Sequence, residues 1–263
     1  MSSSRILKFR RTVWGYYKKH GRNELPWRKT RDPYRILVSE MMLQQTQVSR
    51  VIEKYQEFLK KFPTLRALAK ASLADVLKVW SGLGYNRRGK YLHDTAKLLV
   101  SAGNFKYAVA HLKFPGVGKY TKAAVQVFAF NEPEVLIETN VRTAVIHHFL
   151  SKRRNVEDSE IEKIAAAAAE GQDPRMWHSA LFDYGTYLKQ SGVRLNSQSA
   201  RYTKQSKFEG SLRQVRGAIL RELHKAPSAL KTSPFERKRI VDALTALVRD
   251  GLIVKIKGKW RIA

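Results

Sequence analysis

Apolar positions recur at three- and four-residue spacing through most of this chain, and that period predicts helices. The first is an amphipathic, basic helix over residues 6–25, with Phe9, Val13, Tyr16 and Tyr17 as its apolar positions. Pro26-Trp27-Arg28 ends it and leads into a loop through Asp32-Pro33-Tyr34. From Tyr34 to about Leu150 the pattern is helical almost throughout, as in Val51, Ile52, Tyr55, Phe58 and Leu59. Breaks at Phe62-Pro63-Thr64, Ser81-Gly82-Leu83-Gly84, Gly103-Asn104 and Asn131-Glu132-Pro133 read as helix-to-helix corners, because no alternating run flanks them. An alanine-rich helix follows over Ser159–Glu170 and another over Met176–Leu188; Ser191–Ser211 is polar, basic and loop-like. Beyond it, helices are predicted over Ser211–His224 and within Ser233–Asp250. Gly251–Ile262 then alternates at period two around Lys257-Gly258, a β-hairpin signal. Helices followed by one basic hairpin suggest a small winged-helix domain, with an α+β cap on the larger domain as the other reading. Both place a boundary near residues 205–210.

Composition narrows the partners. With 263 residues and 43% hydrophobic, the chain can bury a sizeable core in one large or two moderate domains. Its 50 Lys+Arg against 22 Asp+Glu leave +28, spread along the chain rather than confined to a tail. Such a surface suits a polyanion, through phosphate neutralisation and counterion release. The absence of cysteine excludes disulfides, thiolate metal sites and iron–sulfur clusters. No run approaches the roughly 18 to 20 apolar residues of a membrane span, and Met1-Ser-Ser-Ser-Arg5 lacks a signal peptide's apolar core. The expectation is a soluble intracellular protein, cytoplasmic and nucleoid-associated if prokaryotic.

The chemistry concentrates between Leu112 and Arg142. Phe114-Pro115-Gly116-Val117-Gly118-Lys119-Tyr120-Thr121 reads as a tight turn between two helices. Gly116 and Gly118 are expected to take backbone conformations a Cβ would forbid, so that their amides crowd towards one external oxygen. The helix beginning near Tyr120 adds its positive N-terminal end, which suits a phosphate. Some twenty residues on, Ile137-Glu138-Thr139-Asn140 supplies a lone carboxylate.

Residues 25–150 resemble the helix-hairpin-helix DNA glycosylase superfamily, most closely its MutY-like adenine glycosylase branch. The resemblance is carried in order by Leu25-Pro-Trp-Arg28, Arg31-Asp-Pro-Tyr34, Ser39-Glu40-Met-Met-Leu-Gln-Gln-Thr-Gln-Val48, Gly82-Leu-Gly-Tyr85 and Pro115-Gly-Val-Gly118, with Phe62-Pro63-Thr64 and Leu92-His93 also fitting. It implies a mainly α, two-lobed fold over residues 1–208. A six-helix lobe would span about 33–142, and the N-terminal helix with about 143–208 would form the second. Residues 209–263 would be the winged-helix-like α+β domain.

The resemblance also implies base flipping and N-glycosidic cleavage in double-stranded DNA carrying a mismatch or damaged base, by a monomer. It places the acid that stabilises an oxocarbenium-like transition state on Glu138, where the family normally has Asp. It gives purine protonation to Glu40 and the support of Glu138 and its neighbouring phosphate to Asn140 and Arg28. Tyr120 stands where bifunctional relatives carry a lyase lysine; a phenol forms no Schiff base, so a monofunctional hydrolase is expected. Gln45 and Tyr85 match positions that wedge into the duplex. Gln44, Thr46, Arg87, Gly116, Val117, Gly118, Lys119 and Thr121 complete the expected DNA contacts. No side-chain metal site is expected, although hairpin carbonyls could hold a structural Na+ or K+.

Two parts usual in this branch are missing. At the spacing of the iron–sulfur ligands stand Lys189, Asn196, Ser199 and Gln205, none of them thiolates. The Nudix-like domain that recognises 8-oxoguanine is expected to be absent, with the short basic segment in its place. These losses, with Tyr120, favour thymine or uracil opposite guanine as the excised base. Adenine opposite guanine or 8-oxoguanine is the alternative, and a non-catalytic mismatch-binding protein the second.

Overall fold

Helix signals in the sequence become helices wherever an apolar stripe finds a partner face. In the computed structural model, which describes residues 2–225 and 235–263, these are α1 (Ser3–His20), α2 (Pro33–Leu43), α3 (Val48–Lys61), α4 (Leu65–Lys70), α5 (Leu73–Trp80), α6 (Arg87–Ala102), α7 (Phe105–His111), α8 (Lys119–Phe130), α9 (Thr139–Phe149), α10 (Asp158–Ala169), α11 (Pro174–Gln190), α12 (Leu212–Lys225) and α13 (Arg237–Arg249). Strands β1 (Ile253–Ile256) and β2 (Lys259–Ile262) close the chain. The first residues of the span Ser233–Asp250, within which α13 is expected, lie outside the described residues. No described helix is long and apolar enough to cross a membrane.

The chain divides into two compact units: residues up to Ile36 with Gly118–Lys204, and Leu37–Val117 with Gln205–Ala263. In the first, α1, α9, α10 and α11 enclose one core around the fully buried Trp177, with Phe9 edge-on to it at 6.2 Å. Asp173 caps α11 through the Met176 N–H (2.8 Å), and Pro174 occupies its first turn, where a missing N–H costs nothing. Backbone hydrogen bonds tie the polar segment after α11 to the residues before α10. Val156 N–H donates to Gln198 O (2.8 Å), and Ala200 N–H donates to Val156 O (2.9 Å). Val193 and Leu195 pack on the core.

The same unit contains a buried charge network that the chain pattern did not announce. Asp183, in the middle of α11, has a side chain 1% exposed. It accepts from Arg28 Nη1 and Nη2 (2.6 and 2.8 Å) and from the Arg22 backbone N–H and Nε (2.9 and 2.7 Å). This ties the loop after α1 to α11.

In the second unit, Phe58, Phe62 and Trp80 pack edge to face between α3 and α5. Arg88 is buried, and its guanidinium donates to Met41 O (2.7 Å) and Met42 O (3.0 Å), the carbonyls left over at the end of α2. The C-terminal residues form the expected helices and hairpin. Register pairs Ile253 with Ile262 and Ile256 with Lys259 around a turn with φ +48° and +78° at Lys257 and Gly258, the two-residue geometry that suits strand twist.

The division differs from the one expected at residues 208/209. Val215, Ile219, Leu220, Leu223, Leu247 and Ile253 share their core with Leu77 of α5. An apolar cluster continuous across that boundary makes 205–263 part of the second unit. Likewise α8 and the start of α9, expected in the six-helix lobe, belong to the first, where Ala124, Val127 and Leu136 pack with Phe182.

Candidate active site

Glu138 is the N-cap of α9 and uses its carboxylate for the purpose. Oε1 accepts from the N–H groups of Asn140 (2.7 Å) and Val141 (3.0 Å), and Oε2 from Asn140 Nδ2 (3.2 Å). Short side chains usually cap helices, because they reach back two or three residues without coiling. Here the longer glutamate folds back onto the positive end of the helix, which favours its charge. Burial works the other way and dominates, so the carboxyl titrates above its ordinary range despite the Val141 and Asn140 amides and the charges of Lys189 and Arg142. A carboxylate poised upwards by burial, yet fixed by three donors, is suited to act as a base or to face a developing cation.

Asn140 completes the group. Its Nδ2 is given to Glu138, and its buried Oδ1 has no partner among the described residues. Gly185 on α11 determines how closely this helix start can be approached. A Cβ there would lie 2.3 Å from Asn140 O and 2.7 Å from Asn140 Cβ, a clash with backbone. Gly185→Ala is therefore expected to push the start of α9 aside. The expected costs are about 1–3 kcal/mol of stability and about 10²-fold in any reaction that depends on Glu138. Thermal melting and single-turnover rate, compared with the parent, measure both.

Tyr120 packs with Ala123, Ala124 and Val127 at the start of α8. Lys119 is open to solvent, its ammonium 3.7 Å from Glu162. The first intrahelical bond of α8 runs from Lys122 N–H to Gly118 O (3.1 Å), so the amides of Gly118 and Lys119 stay outside the helix's own ladder. Thr121 is 3% exposed, which leaves its side chain inside the fold rather than on a strand-binding surface. Arg28 is likewise committed to Asp183 and to Ser179 O (3.2 Å).

The remaining predicted residues lie in the second unit. Glu40 is 7% exposed and sits in the last turns of α2. The N-terminus of that helix is capped by Asp32, which accepts from the Tyr34 N–H (2.8 Å), so Glu40 is no N-terminal capping carboxylate. In the turn, Gly116 has φ +68°, and a Cβ would meet Tyr91 at 2.5 Å. Gly118 departs from expectation: its φ is −81° and nothing lies within 4 Å of a Cβ placed there, so only Gly116 requires glycine for the fold. Val117 is buried and spends its N–H on Phe114 O (3.3 Å). Pro115 O accepts from Thr95 (3.2 Å) and Gly116 O from Gln44 (3.4 Å). Thr46 takes a hydrogen bond from Arg88 (2.9 Å).

Gln45 and Tyr85 hold φ of +55° and +46°, a left-handed conformation uncommon outside glycine and concentrated at functional positions. Arg88 and Arg213 each place a guanidinium over the Tyr85 ring, at 5.4 and 5.1 Å. The Tyr85 hydroxyl is held by Arg213 Nη1 (2.6 Å) and Gln205. Arg87 reaches Asp250 (3.3 Å), which Arg216 also engages.

Sequence reasoning passed over Asp183, Arg88 and Arg213 as functional supports. The single acid within Ala180-Leu-Phe-Asp-Tyr-Gly185 is a signal for the first. Arg88 and Arg213 carry none, since Arg88 is fixed by the Met41 and Met42 carbonyls and Arg213 reaches Tyr85 from 128 residues away.

Residues 38–169 match the family described as HhH-GPD superfamily base excision DNA repair protein. An adenine DNA glycosylase of Buchnera aphidicola subsp. Baizongia pistaciae is 35% identical over 69% of this chain, which spans only 53% of that relative's length. The adenine DNA glycosylase of Mycolicibacterium smegmatis is 30% identical over 93% of this chain and 92% of its own. Among solved structures, a thermostable thymine-DNA glycosylase superposes with a TM-score of 0.62 at 26% identity, covering 69% of this chain and 86% of that one. The chain is a MutY-like member, without cysteine, of the HhH-GPD superfamily of base excision DNA repair proteins.

Proposed function

We propose that this chain is a monofunctional DNA glycosylase that hydrolyses adenine from a mispair with guanine or 8-oxoguanine. The observation that carries it is Glu138, raised by burial and held by the Asn140 and Val141 amides. In this reading the C1′–N9 bond breaks with its electron pair leaving on adenine, and the Glu40 carboxyl supplies a proton to the departing purine. The Glu138 carboxylate faces the oxocarbenium-like sugar and takes a proton from the water that adds to C1′. Asn140 Oδ1, unpartnered among the described residues, accepts from that water. Tyr120 offers no amine for a Schiff base.

Adenine replaces the thymine or uracil favoured by the sequence expectation. The relatives named adenine DNA glycosylase are 30% and 35% identical, against 26% for the thymine-DNA glycosylase structure. Tyr120 does not decide the base, for a physical reason: its phenol bears on lyase chemistry and says little about what enters the pocket. That 26% likeness keeps thymine as the second reading.

The strained pair Gln45 and Tyr85 is read as the wedge that offsets unstacking. Lys119 and the amides of Gly118 and Lys119 are read as the phosphate grip. A Na+ or K+ would sit on the carbonyls of Phe114–Gly116, each of which keeps a lone pair beyond the hydrogen bond it accepts. The reading needs one chain only, working at the chromosome.

The test is a panel of duplexes (G·A, 8-oxoguanine·A, G·T, G·U) scored for strand breakage with and without alkali. Breakage confined to the adenine duplexes and dependent on alkali is expected; breakage of G·T alone would reverse the base assignment, and breakage without alkali the monofunctional one. The pH profile follows from the sign of the Glu138 shift. The base acts ionised, so the single-turnover rate should fall on the acidic side through a midpoint above the ordinary carboxylate value of about 4.3. A limb at or below that value would remove the poised base from the mechanism.

A further inference from the structure

A cleft in the second unit is lined by the Ser81–Asn86 loop on one side and by helix α12 on the other, and none of the residues lining it is acidic. Three arginines reach it, Arg50 from α3 and Arg213 and Arg221 from α12. It holds about 100 Å³, several times the roughly 10–15 Å³ that one water requires. The Arg50 and Arg221 residues are exposed, and their guanidiniums form no ion pair or hydrogen bond among the described residues. Three converging cations with no counter-charge form an electrostatic arrangement that folding alone does not reward, since like charges repel.

The walls are shaped for close approach. Gly82 and Gly84 hold φ of +95° and +72° on either side of Leu83, which has no positive φ, and Tyr85 follows at +46°; such alternation of backbone hand is the kind from which anion-binding concavities are built. Gly217 stands one turn before Arg221, and a Cβ there would lie 3.4 Å from Arg221 Nη1. The guanidinium thus lies against the one place on this helix face that carries no side chain. Arg213 is oriented by Ser206 O (2.7 Å) and the Tyr85 hydroxyl.

We propose that this cleft is a backbone-phosphate site for duplex DNA, created by the C-terminal segment and using Arg50, Arg213 and Arg221 as its cations. It deepens the reading above, because Arg213 belongs both to the cleft and to the support of Tyr85. A phosphate held here fixes the strand beside the residue read as the wedge. The basic C-terminal segment then has a defined task, which is to anchor DNA next to the 81–86 loop.

The experiment is binding of the full chain to an undamaged duplex by fluorescence anisotropy across a salt series, so that it stands or fails independently of base release. The parent is compared with Arg50→Ala, Arg221→Ala, their combination and Arg221→Lys. Arg249→Ala, an exposed arginine of α13 outside the cleft, is the control. Each cleft variant should make the slope of log K against log[salt] shallower by about 0.9, and the pair by about 1.8. Arg221→Lys should restore the slope, and Arg249→Ala should leave it near the parent's. Slopes for the cleft variants equal to the parent's overturn the site. So does an equal change in Arg249→Ala, which would show a diffuse field. Melting temperatures equal to the parent's confirm that the variants are folded; Arg50 and Arg221 are surface residues with no structural partner to lose.

Discussion

Glu138→Gln is expected to abolish base release, by about 10³-fold in single-turnover rate, while duplex binding stays near the parent's. The amide keeps the size of the side chain and one oxygen for the Asn140 and Val141 N–H groups, so the start of α9 should hold its place. What disappears is the charge, and with it both the stabilisation of a cationic sugar and the acceptor for a water proton. A loss of about 10³ corresponds to roughly 4 kcal/mol of transition-state stabilisation, within reach of one sequestered charge in a low-dielectric setting. The melting temperature should not fall, because burial already disfavours the ionised form in the folded protein. A variant that releases base as fast as the parent removes Glu138 from the chemistry.

Asp183→Ala should give the largest change in stability, a loss of about 3–5 kcal/mol. Two guanidiniums converge on this carboxylate, Arg28 through two bonds and Arg22 through one, and the Arg22 backbone amide adds a fourth. The side chains of Asp183 and Arg28 are 1% and 12% exposed, so water cannot take over the lost partner. Removing the anion leaves two cations facing each other in a poorly solvated space. For a chain of this size the shift in melting temperature is on the order of 10 °C. Asp183→Asn, which keeps the shape but not the charge, should fall between. An Asp183→Ala protein that melts within about 2 °C of the parent would mean that the network is solvated in a way its burial does not suggest.

Much of the architecture is legible in the local pattern of residues. Helix positions follow from the three- and four-residue spacing, and the Lys257-Gly258 hairpin from its alternation, because both signals repeat within a few residues. Boundaries between units are less so. Leu77 reads as an ordinary apolar position of its helix, and nothing in its neighbours says that it will be buried among Val215, Ile219 and Leu223. The two glycines of the turn make the same point at smaller scale. Both look alike in sequence, yet only Gly116 meets Tyr91 and carries a positive φ.

The site divides along the same line. The family resemblance carried by motif order is what singles out Glu138, Glu40, Gln45 and Tyr85 as candidates. Their condition is decided by the fold. Glu138 is raised because partial burial by tertiary contacts disfavours its charge, while a local helix start holds it. Arg28 is a structural cation because Asp183, some 155 residues away, reaches it. Tyr85 is clasped by Arg88 and Arg213, one three residues on and the other 128 away. Local order along the chain is enough to give the elements, the family and the carboxylates on offer. Which of the many cations are spent on internal carboxylates, and which stay unpaired at the surface, follows only from the folded contacts. Pairing depends on distance and burial, and neither is a property of position along the chain.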